Sequence, residues 1–285
     1  MIQSKSCFII GLPEAGKTSY LAALAYSLRQ KDIKTKLCWK KFTENHQYLT
    51  TLANTWLEYE KVSRTRIGMQ ETSHSVELYD SDDNRYIVTF PDLSGEIFQK
   101  QYAEREIDRE LSELISSCDG ILLFLNPNLI REPILISEIP VDTRPFGEDS
   151  PVTREQNPVE TDATAVQLVE LLQDIDYLTE NDRIHAIPLV VVVSAWDVVA
   201  ETCATPEECV AERTPLLWQY LKTNDDVFHV SYYGVSAQGG ALEQEAEIDA
   251  LCENYGERPV ERIIVVNNNG ETSHDITLPL WEAMK

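Results

Sequence analysis

The stretch from Cys7 to Leu28 constrains the fold of this chain more than any other segment. Within it, Gly11 to Thr18 match the pattern G-x-x-x-x-G-K-[ST], which describes loops that bind phosphate groups. The apolar run from Phe8 to Ile10 precedes the loop and suits a buried parallel strand. The segment after the loop predicts a helix, because apolar residues recur at helical spacing at Leu21, Leu24, Ala25 and Leu28.

The residue types in this loop suit the binding of a phosphate anion. Glycines let the backbone curl tightly, so that its N–H groups point inward, and the following helix offers its positive end. The Lys17 ammonium group can reach the β- and γ-phosphates, and the Thr18 hydroxyl can bind Mg²⁺. We therefore predict that the phosphates are bound by Glu14, Ala15, Gly16, Lys17, Thr18 and Ser19. The alternative is a strand-to-helix turn that binds no ligand.

The charge balance limits the kinds of partner that this protein can bind. Its 285 residues include 24 basic and 48 acidic side chains, which gives a formal net charge of −24. Such an acidic surface disfavours nucleic acids and anionic membranes and favours basic partners. A phosphate anion must therefore be bound in a local positive pocket that opposes the overall field.

The cysteine pattern and the hydropathy of the chain predict a cytoplasmic protein. The six cysteines are scattered and form no C-x-x-C pair, which argues against a disulfide framework or a zinc site. The amino-terminal residues do not read as a signal peptide, and no apolar run approaches the roughly 18 residues of a membrane span. We expect a reduced protein with no membrane span.

Apolar strands alternate with amphipathic helices along the chain, which predicts an α/β fold with a mostly parallel sheet and helices on both faces. We expect a single domain over residues 1–285, with an insertion at 127–160 and a C-terminal extension from about 240. Strands are predicted at 33–39, 75–79, 85–90, 120–125, 188–193 and 227–235. Helices are predicted at 45–59, 104–118, 162–178 and 206–222, the last broken by Pro215.

Polar motifs follow four of the predicted strands. They are Gly11 with the rest of the phosphate loop, Asp92, Ser194–Asp197 and Ser236–Gln238. Ligands of parallel sheets bind outside the carboxyl ends of the strands. We therefore expect these motifs to converge on one crevice.

The four motifs, in this order, resemble those of the P-loop GTPases of the translation-factor and small-GTPase class. The resemblance implies a three-layer sandwich that binds GTP or GDP with Mg²⁺. It also implies that Asp92, in the run Asp-Leu-Ser-Gly, holds Mg²⁺ through water and that the Gly95 N–H meets the γ-phosphate. The implied metal ligands are Thr18, Thr65 and Asp92.

The same resemblance assigns the purine-reading residues. Asp197 would accept hydrogen bonds from the guanine N1–H and 2-amino group, and the Ala237 N–H, in a run from Ser236 to Gln238, would meet the guanine O6. The motif at Asp197 departs from the family pattern N-K-x-D, because Ser194 replaces the Asn and Ala195 replaces the Lys that packs on the base. This predicts weaker binding, or a compensating contact from Trp196. The alternative for Asp197 is a cap of the next turn.

The residues that would act in GTP hydrolysis lie in two loops. The family needs a Thr that closes on Mg²⁺ and the γ-phosphate, and Thr65 is the first candidate, followed by Thr72. Arg64 and Arg66 are candidates for an arginine finger in cis or are surface charges. Glu96 stands where many small GTPases have a water-orienting Gln, and its repulsion of the γ-phosphate predicts slow hydrolysis. The predicted catalytic set is Lys17, Thr65, Gly95 and Glu96.

A closer resemblance is to the bacterial double-GTPase group, which is associated with predicted defence operons. It rests on the helix from Tyr48 to Trp56, the pair Arg64-Thr65, the run from Phe90 to Glu96 and the closing segment from Arg262 to Leu280. It implies a nucleotide-dependent switch that controls a protein partner or effector. Two alternatives stay open: a nucleotide-binding scaffold or sensor with little turnover, and a P-loop ATPase or kinase.

The insertion at 127–160 contains six prolines and many acidic residues with weak periodicity. Its length and charge make it, with the acidic surface, the first candidate for binding a partner protein. A passive surface loop is the alternative.

Overall fold

The computed structural model describes residues 5–30, 33–39, 47–60, 74–90, 95–107, 109–133, 159, 162–180, 184–242 and 244–285. These residues form a nine-stranded sheet with the strand order β2-β3-β4-β1-β5-β6-β7-β8-β9. The strands are β1 Lys5–Ile10, β2 Cys38–Trp39, β3 His74–Tyr79, β4 Arg85–Phe90, β5 Gly120–Leu125, β6 Ile187–Ser194, β7 Phe228–Ser236, β8 Ile264–Asn267 and β9 Thr272–Ser273.

The five central strands, β4-β1-β5-β6-β7, are parallel, and the strands on either side of them pair antiparallel. The parallel core arises because helices connect most of its strands and return the chain to the same edge. The helices are α1 Lys17–Arg29, α2 Gln47–Leu57, α3 Gly95–Glu104, α4 Arg109–Ser116, α5 Thr164–Thr179, α6 Trp196–Val199, α7 Pro206–Arg213, α8 Pro215–Thr223, α9 Glu245–Tyr255 and α10 Leu278–Ala283. Short 3₁₀ helices span Pro127–Leu129 and Pro259–Arg262.

Strand β1 shows how the sheet separates two hydrophobic cores. Its alternate side chains point to opposite faces, so Cys7 and Ile9 enter one core and Phe8 and Ile10 the other. The first core contains side chains of α1, α2 and α10, and the second contains side chains of α3 to α8. The predicted α/β fold, with a mostly parallel central sheet and helices on both faces, is therefore confirmed.

Two predicted elements differ from the structure. The predicted helix at 104–118 is wrong as a single element, because α3 ends at Glu104 and α4 starts at Arg109. Arg105 lies between them with a φ of 57°, a left-handed conformation that breaks the helix. The edge strand predicted at 33–39 shortens to Cys38–Trp39, which pairs with the outer side of β3.

The residues after about 240 contribute two strands and two helices to the same molecule. The Tyr20 hydroxyl on α1 donates to the Ile276 carbonyl at 2.8 Å, and Leu280 on α10 is fully buried. The C-terminal segment therefore completes the first core. Among the described residues, no helix is long and apolar enough to cross a membrane.

Candidate nucleotide-binding site

The phosphate loop joins β1 to α1 through an unusual backbone. Gly11 has a φ of 149°, Glu14 of 62° and Gly16 of 94°. A Cβ on Gly11 would lie 2.8 Å from the Phe124 carbonyl oxygen on the neighbouring strand β5. Glycine is required at this turn because the loop folds back against the end of β5, and the loop keeps the tight curl that its sequence predicts.

Gly16 brings the phosphate loop against the end of β6. A Cβ at this position would lie 2.8 Å from the Ser194 Cβ and 3.0 Å from its Oγ. Gly16 is also the residue that precedes α1, so the first N–H groups of that helix lie beside the start of the segment from Ser194 to Asp197. Two of the four predicted motifs are therefore in direct contact.

The Lys17 ammonium group is bound inside the loop that precedes it. Its Nζ donates to the Gly11 carbonyl at 2.6 Å and to the Leu12 carbonyl at 2.8 Å. Burial lowers the pKa of Lys17 to about 8. The cation is thus partly desolvated, and within the described part of the chain its hydrogen bonds go to neutral carbonyls, which prepares it to pair with a phosphate oxygen.

Thr18 occupies the first turn of α1, next to Lys17. Mg²⁺ in phosphate sites takes one or two protein oxygens and completes its shell with phosphate and water oxygens. The described residues contain no cluster of three His, Cys, Asp or Glu side chains that could hold a metal by themselves. The oxygen donor of Thr18 beside a phosphate loop fits a magnesium ion that is shared with a bound phosphate.

Asn126 is a site residue that the sequence reasoning missed. Its Nδ2 donates to the Glu14 carbonyl at 3.2 Å, and its Oδ1 accepts from the Asn128 N–H at 3.1 Å. Ser194 adds a second link, because its Oγ donates to the Leu125 carbonyl at 3.3 Å. Together these bonds connect the phosphate loop, β5 and β6. Its position could have identified it as a candidate, because Asn126 directly follows a fully buried strand.

The backbone turns sharply between β6 and α6. Ala195 has φ 49° and ψ 43°, and it is the N-cap residue of α6. Asp197 lies in the first turn of that helix and is half-buried, so it is not the cap that the alternative interpretation expected. Asp197 therefore lies in the first turn of the helix that follows Ser194, the residue in contact with the phosphate loop.

Trp196 belongs to the hydrophobic core. It is only 4% exposed, and its ring packs so closely on Gly234 of β7 that any Cβ there would clash. Trp196 therefore cannot lie flat against a purine, and the hypothesis that it replaces the missing lysine contact is wrong.

The segment from Ser236 to Gly239 follows β7, the neighbour of β6 in the sheet. The buried Ser236 Oγ accepts from the Gly239 N–H at 3.0 Å, which closes the turn. The Ala237 carbonyl accepts from the Trp56 Nε1 at 2.8 Å. The Gln238 Oε1 is buried and has no hydrogen-bond partner within the described part of the chain.

The remaining predicted site residues belong to the two loops proposed to act in hydrolysis. Thr65, Thr72 and Asp92, together with Arg64 and Arg66, lie outside the described residues. Gly95 and Glu96 form the start of α3. The backbone of these two residues therefore forms the first positions of a helix.

A cavity of about 260 Å³ lies on the flank of the phosphate loop. Its walls include Glu14, Ala15, Asn126, Gln99 of α3 and Gln167 of α5. Lys17 and Thr18 do not line it. The cavity is therefore separate from the face of the loop that carries the phosphate-binding side chains.

Many solved structures resemble this chain, and two of them show how distant the likeness is. The small GTPase Arl6 BBS3 from Trypanosoma brucei, solved with the nucleotide analogue GppNp, is 10% identical, with a TM-score of 0.40, 90% of this chain covered and 99% of the other. The S. cerevisiae Ski7 GTPase-like domain, bound to GDP and inorganic phosphate, is 13% identical, with a TM-score of 0.45 and 84% of this chain covered. This chain spans 44% of that second structure. Neither likeness is strong enough to carry an argument about function.

No curated protein matches the sequence significantly. A protein-family model, in contrast, matches most of the chain. The model described as Double-GTPase 1 matches residues 8–283, a range that includes the phosphate loop, Asp197 and Ser236–Gln238. This chain therefore belongs to the Double-GTPase 1 family.

Proposed function

We propose that this protein binds GTP with Mg²⁺, hydrolyses it slowly to GDP and phosphate, and acts as a nucleotide-dependent switch. The main support is the contact between Gly16 and Ser194. It puts a phosphate-binding loop beside the segment that carries Asp197, so that one nucleotide can reach both. Membership of a GTPase family supports guanine as the base.

The phosphate end would be bound by backbone N–H groups and by two side chains. The N–H groups of Glu14 to Ser19 lie in the loop just before α1 and in its first turn, where the helix dipole favours an anion. Lys17 would exchange its two carbonyl partners for phosphate oxygens, and Thr18 would bind Mg²⁺. The metal would neutralise charge on the phosphate oxygens, with Thr65 and Asp92 as its further proposed ligands.

The base would be read by Asp197 and by the backbone after β7. A carboxylate accepts the N1–H and 2-amino group of guanine together, and adenine lacks that donor pair. The N–H of Ala237 is the proposed donor to O6, with Ser236 and Gln238 on either side. Ala195 offers no stem to cover the base, so we expect weaker binding than a lysine would give.

Slow hydrolysis is the expected consequence of Glu96. A carboxylate there can orient water, but it repels the γ-phosphate that the Gly95 N–H is proposed to meet. Single-turnover phosphate release should therefore change in Glu96→Gln and in Glu96→Ala. A rate that is the same in both variants and in the wild type would remove Glu96 from the mechanism.

A nucleotide-binding scaffold or sensor with little turnover is the second candidate. Ala195 and Glu96 favour it, because Ala195 stands where P-loop GTPases of the N-K-x-D pattern have a base-packing lysine, and a Glu96 carboxylate would repel the γ-phosphate. Phosphate release over a long incubation separates the two functions. A stable GTP complex with no phosphate release would favour the scaffold.

Calorimetry with GTP, GDP and ATP, each with and without Mg²⁺, tests nucleotide binding and base choice. We expect tight binding of both guanine nucleotides, a gain with Mg²⁺ that is larger for GTP, and weak binding of ATP. Lys17→Ala should abolish binding, whereas Lys100→Ala, which removes an exposed cation on α3, should not. Equal affinity for GTP and ATP would contradict the role of Asp197 and favour a P-loop ATPase.

The switch is proposed to act on a protein partner in the cytoplasm, in keeping with six free cysteines. The ends of the insertion are held together, because Arg131 Nη1 donates to the Val159 carbonyl at 2.7 Å. Deletion of 134–158 across a short linker keeps this contact. It should spare nucleotide binding and weaken partner capture, and lost nucleotide binding would contradict this assignment. A role in bacterial defence stays a prediction from the family resemblance.

A further inference from the structure

Helix α2 reaches the proposed purine-reading turn through one side chain. Trp56 is fully buried, and its indole N–H donates to the Ala237 carbonyl across 181 residues of sequence, at 2.8 Å. This is the 236–239 turn, defined as Ser236 to Gly239, on which the proposed function places the contact with guanine O6. A buried donor of this kind has no water to replace its partner, so the bond fixes the turn against α2.

The Trp56 ring is itself held firmly. The Arg262 guanidinium lies 3.7 Å from the centre of the Trp56 ring and 4.1 Å from that of Tyr59, and its Nη2 donates to the Trp56 carbonyl. Arg262 is fully buried, and its burial lowers its pKa. The Tyr26 ring of α1 contacts the same indole at 4.9 Å between centroids. The indole therefore has little freedom to move.

The 236–239 turn is also held from its other end. Gly239 has a φ of 79°, and a Cβ there would lie 2.5 Å from the Arg262 carbonyl oxygen. The Ser236 Oγ closes the turn internally by accepting from the Gly239 N–H. The turn thus lies between α2 and the residues before β8, with one hydrogen bond fixing its middle.

We propose that Trp56 is a positioning residue for purine recognition. By fixing the carbonyl of Ala237, it orients the peptide groups on both sides of that residue, so that a backbone N–H points at guanine O6. Side chains hold the base less firmly here, because Ala195 replaces a lysine and Trp196 is in the core. Guanine affinity therefore depends on the backbone of the turn, and through it on α2. This inference rests on the proposed function.

The test compares GDP with the diphosphate of 2-aminopurine riboside, which keeps the 2-amino group but lacks the 6-oxo group and, with it, the N1–H that Asp197 is proposed to bind. Trp56→Phe removes the indole N–H and keeps an aromatic ring. We expect the Kd for GDP to rise about five- to tenfold, the effect of about one lost hydrogen bond. The Kd for the 2-aminopurine nucleotide should change less than about twofold, because no O6 contact remains to be lost.

Trp218→Phe is the matched control. This residue also donates its indole N–H, to a Glu207 carboxylate oxygen at 3.3 Å, but it lies on α8. It should leave both Kd values unchanged. An equal loss for the two nucleotides in Trp56→Phe, or no loss for either, would overturn the positioning role.

A second variant decides the matter if Trp56→Phe does not fold. Gly239→Ala displaces the turn from the Arg262 side, and it should weaken GDP selectively in the same way. Its control is Gly270→Ala, at a glycine with a φ of 78° and, among the described residues, no atom within 4 Å of an added Cβ. If the wild type binds GDP and the 2-aminopurine nucleotide equally well, the O6 contact of the proposed function fails. The positioning role fails by itself when the wild type prefers GDP and the folded variant, Trp56→Phe or else Gly239→Ala, retains that preference.

Discussion

Gly16 and Gly270 show how the same backbone conformation has different consequences in different surroundings. Both have a positive φ, 94° and 78°. Gly16 belongs to the phosphate loop and lies against Ser194, whereas Gly270 has no described neighbour within 4 Å of an added Cβ. Glycine is required at position 16 both by the positive φ and by the close approach of Ser194. At position 270 it is required by the positive φ alone.

We predict that Gly16→Ala lowers nucleotide affinity more than about tenfold. The left-handed strain of about 1–2 kcal/mol is compounded by a contact of 2.8 Å with Ser194, which must push the loop away from β6. Gly270→Ala should carry only the strain, lowering stability by about 1–2 kcal/mol and leaving affinity intact. Calorimetry and urea unfolding of both variants check this pair. Equal nucleotide affinities in the two variants would contradict the role of the Gly16 contact.

Asp197 allows a prediction of altered base choice. Asp197→Asn should weaken GDP binding about 10- to 100-fold, because hydrogen bonds to a charged acceptor contribute about 1.5–3 kcal/mol. The amide should favour xanthosine diphosphate, whose C2 oxygen accepts from the new Nδ2 donor. Competition between the two nucleotides measures the change. Glu201→Gln, an exposed carboxylate just past α6, is the control and should keep the guanine preference.

At the scale of elements, α3 and the residue that follows it make three polar contacts with α5 and the residues that precede α5. Gln101 Nε2 donates to an Asp174 carboxylate oxygen at 2.6 Å, and the Tyr102 hydroxyl to an Asp162 carboxylate oxygen at 2.5 Å. Arg105 forms an ion pair with Glu170. Because α3 starts at Gly95, which is proposed to contact the γ-phosphate, these contacts would link the phosphate site to the residues that follow the insertion at 127–160.

Tyr102→Phe should loosen α3. Burial, and secondarily Asp162, raises the pKa of Tyr102 to about 12, so the phenol is protonated and donates at neutral pH. Its loss should lower the free energy of unfolding by about 1 kcal/mol and speed amide exchange in α3. Tyr177→Phe, at a hydroxyl on a 76% exposed side chain, should change neither. Unchanged exchange in α3 would show that the contact does not restrain it.

At the scale of the whole molecule, the net charge of −24 works against compactness. We predict that the melting temperature rises by a few degrees between about 0.01 M and 0.5 M NaCl, because salt screens repulsion over roughly 10 Å at 0.1 M. Calorimetric scans at matched pH measure it. KCl should act as NaCl does, and a fall with either salt would mean that attractive ion pairs outweigh the repulsion.

The core of the fold could be predicted from the sequence because its signals are local. Buried parallel strands are continuous apolar runs, as in β5 and β6, and a phosphate loop has a fixed residue spacing. Asp197 and Ser236–Gln238 are predicted as site residues because each lies just past such a strand. Neighbouring residues carry this information, and no long-range contact is needed to detect it.

Only the tertiary structure decided how these motifs are held. The bond of Asn126 to Glu14 spans 112 residues and that of Trp56 to Ala237 spans 181, distances over which sequence periodicity carries no signal. Packing also placed Trp196 in the core and broke the predicted helix at Arg105, where φ is positive. Local residue patterns determined which segments form strands, helices and a phosphate loop. The three-dimensional packing determined which side chains orient these segments, because contacts between residues distant in sequence exist only after the chain has folded.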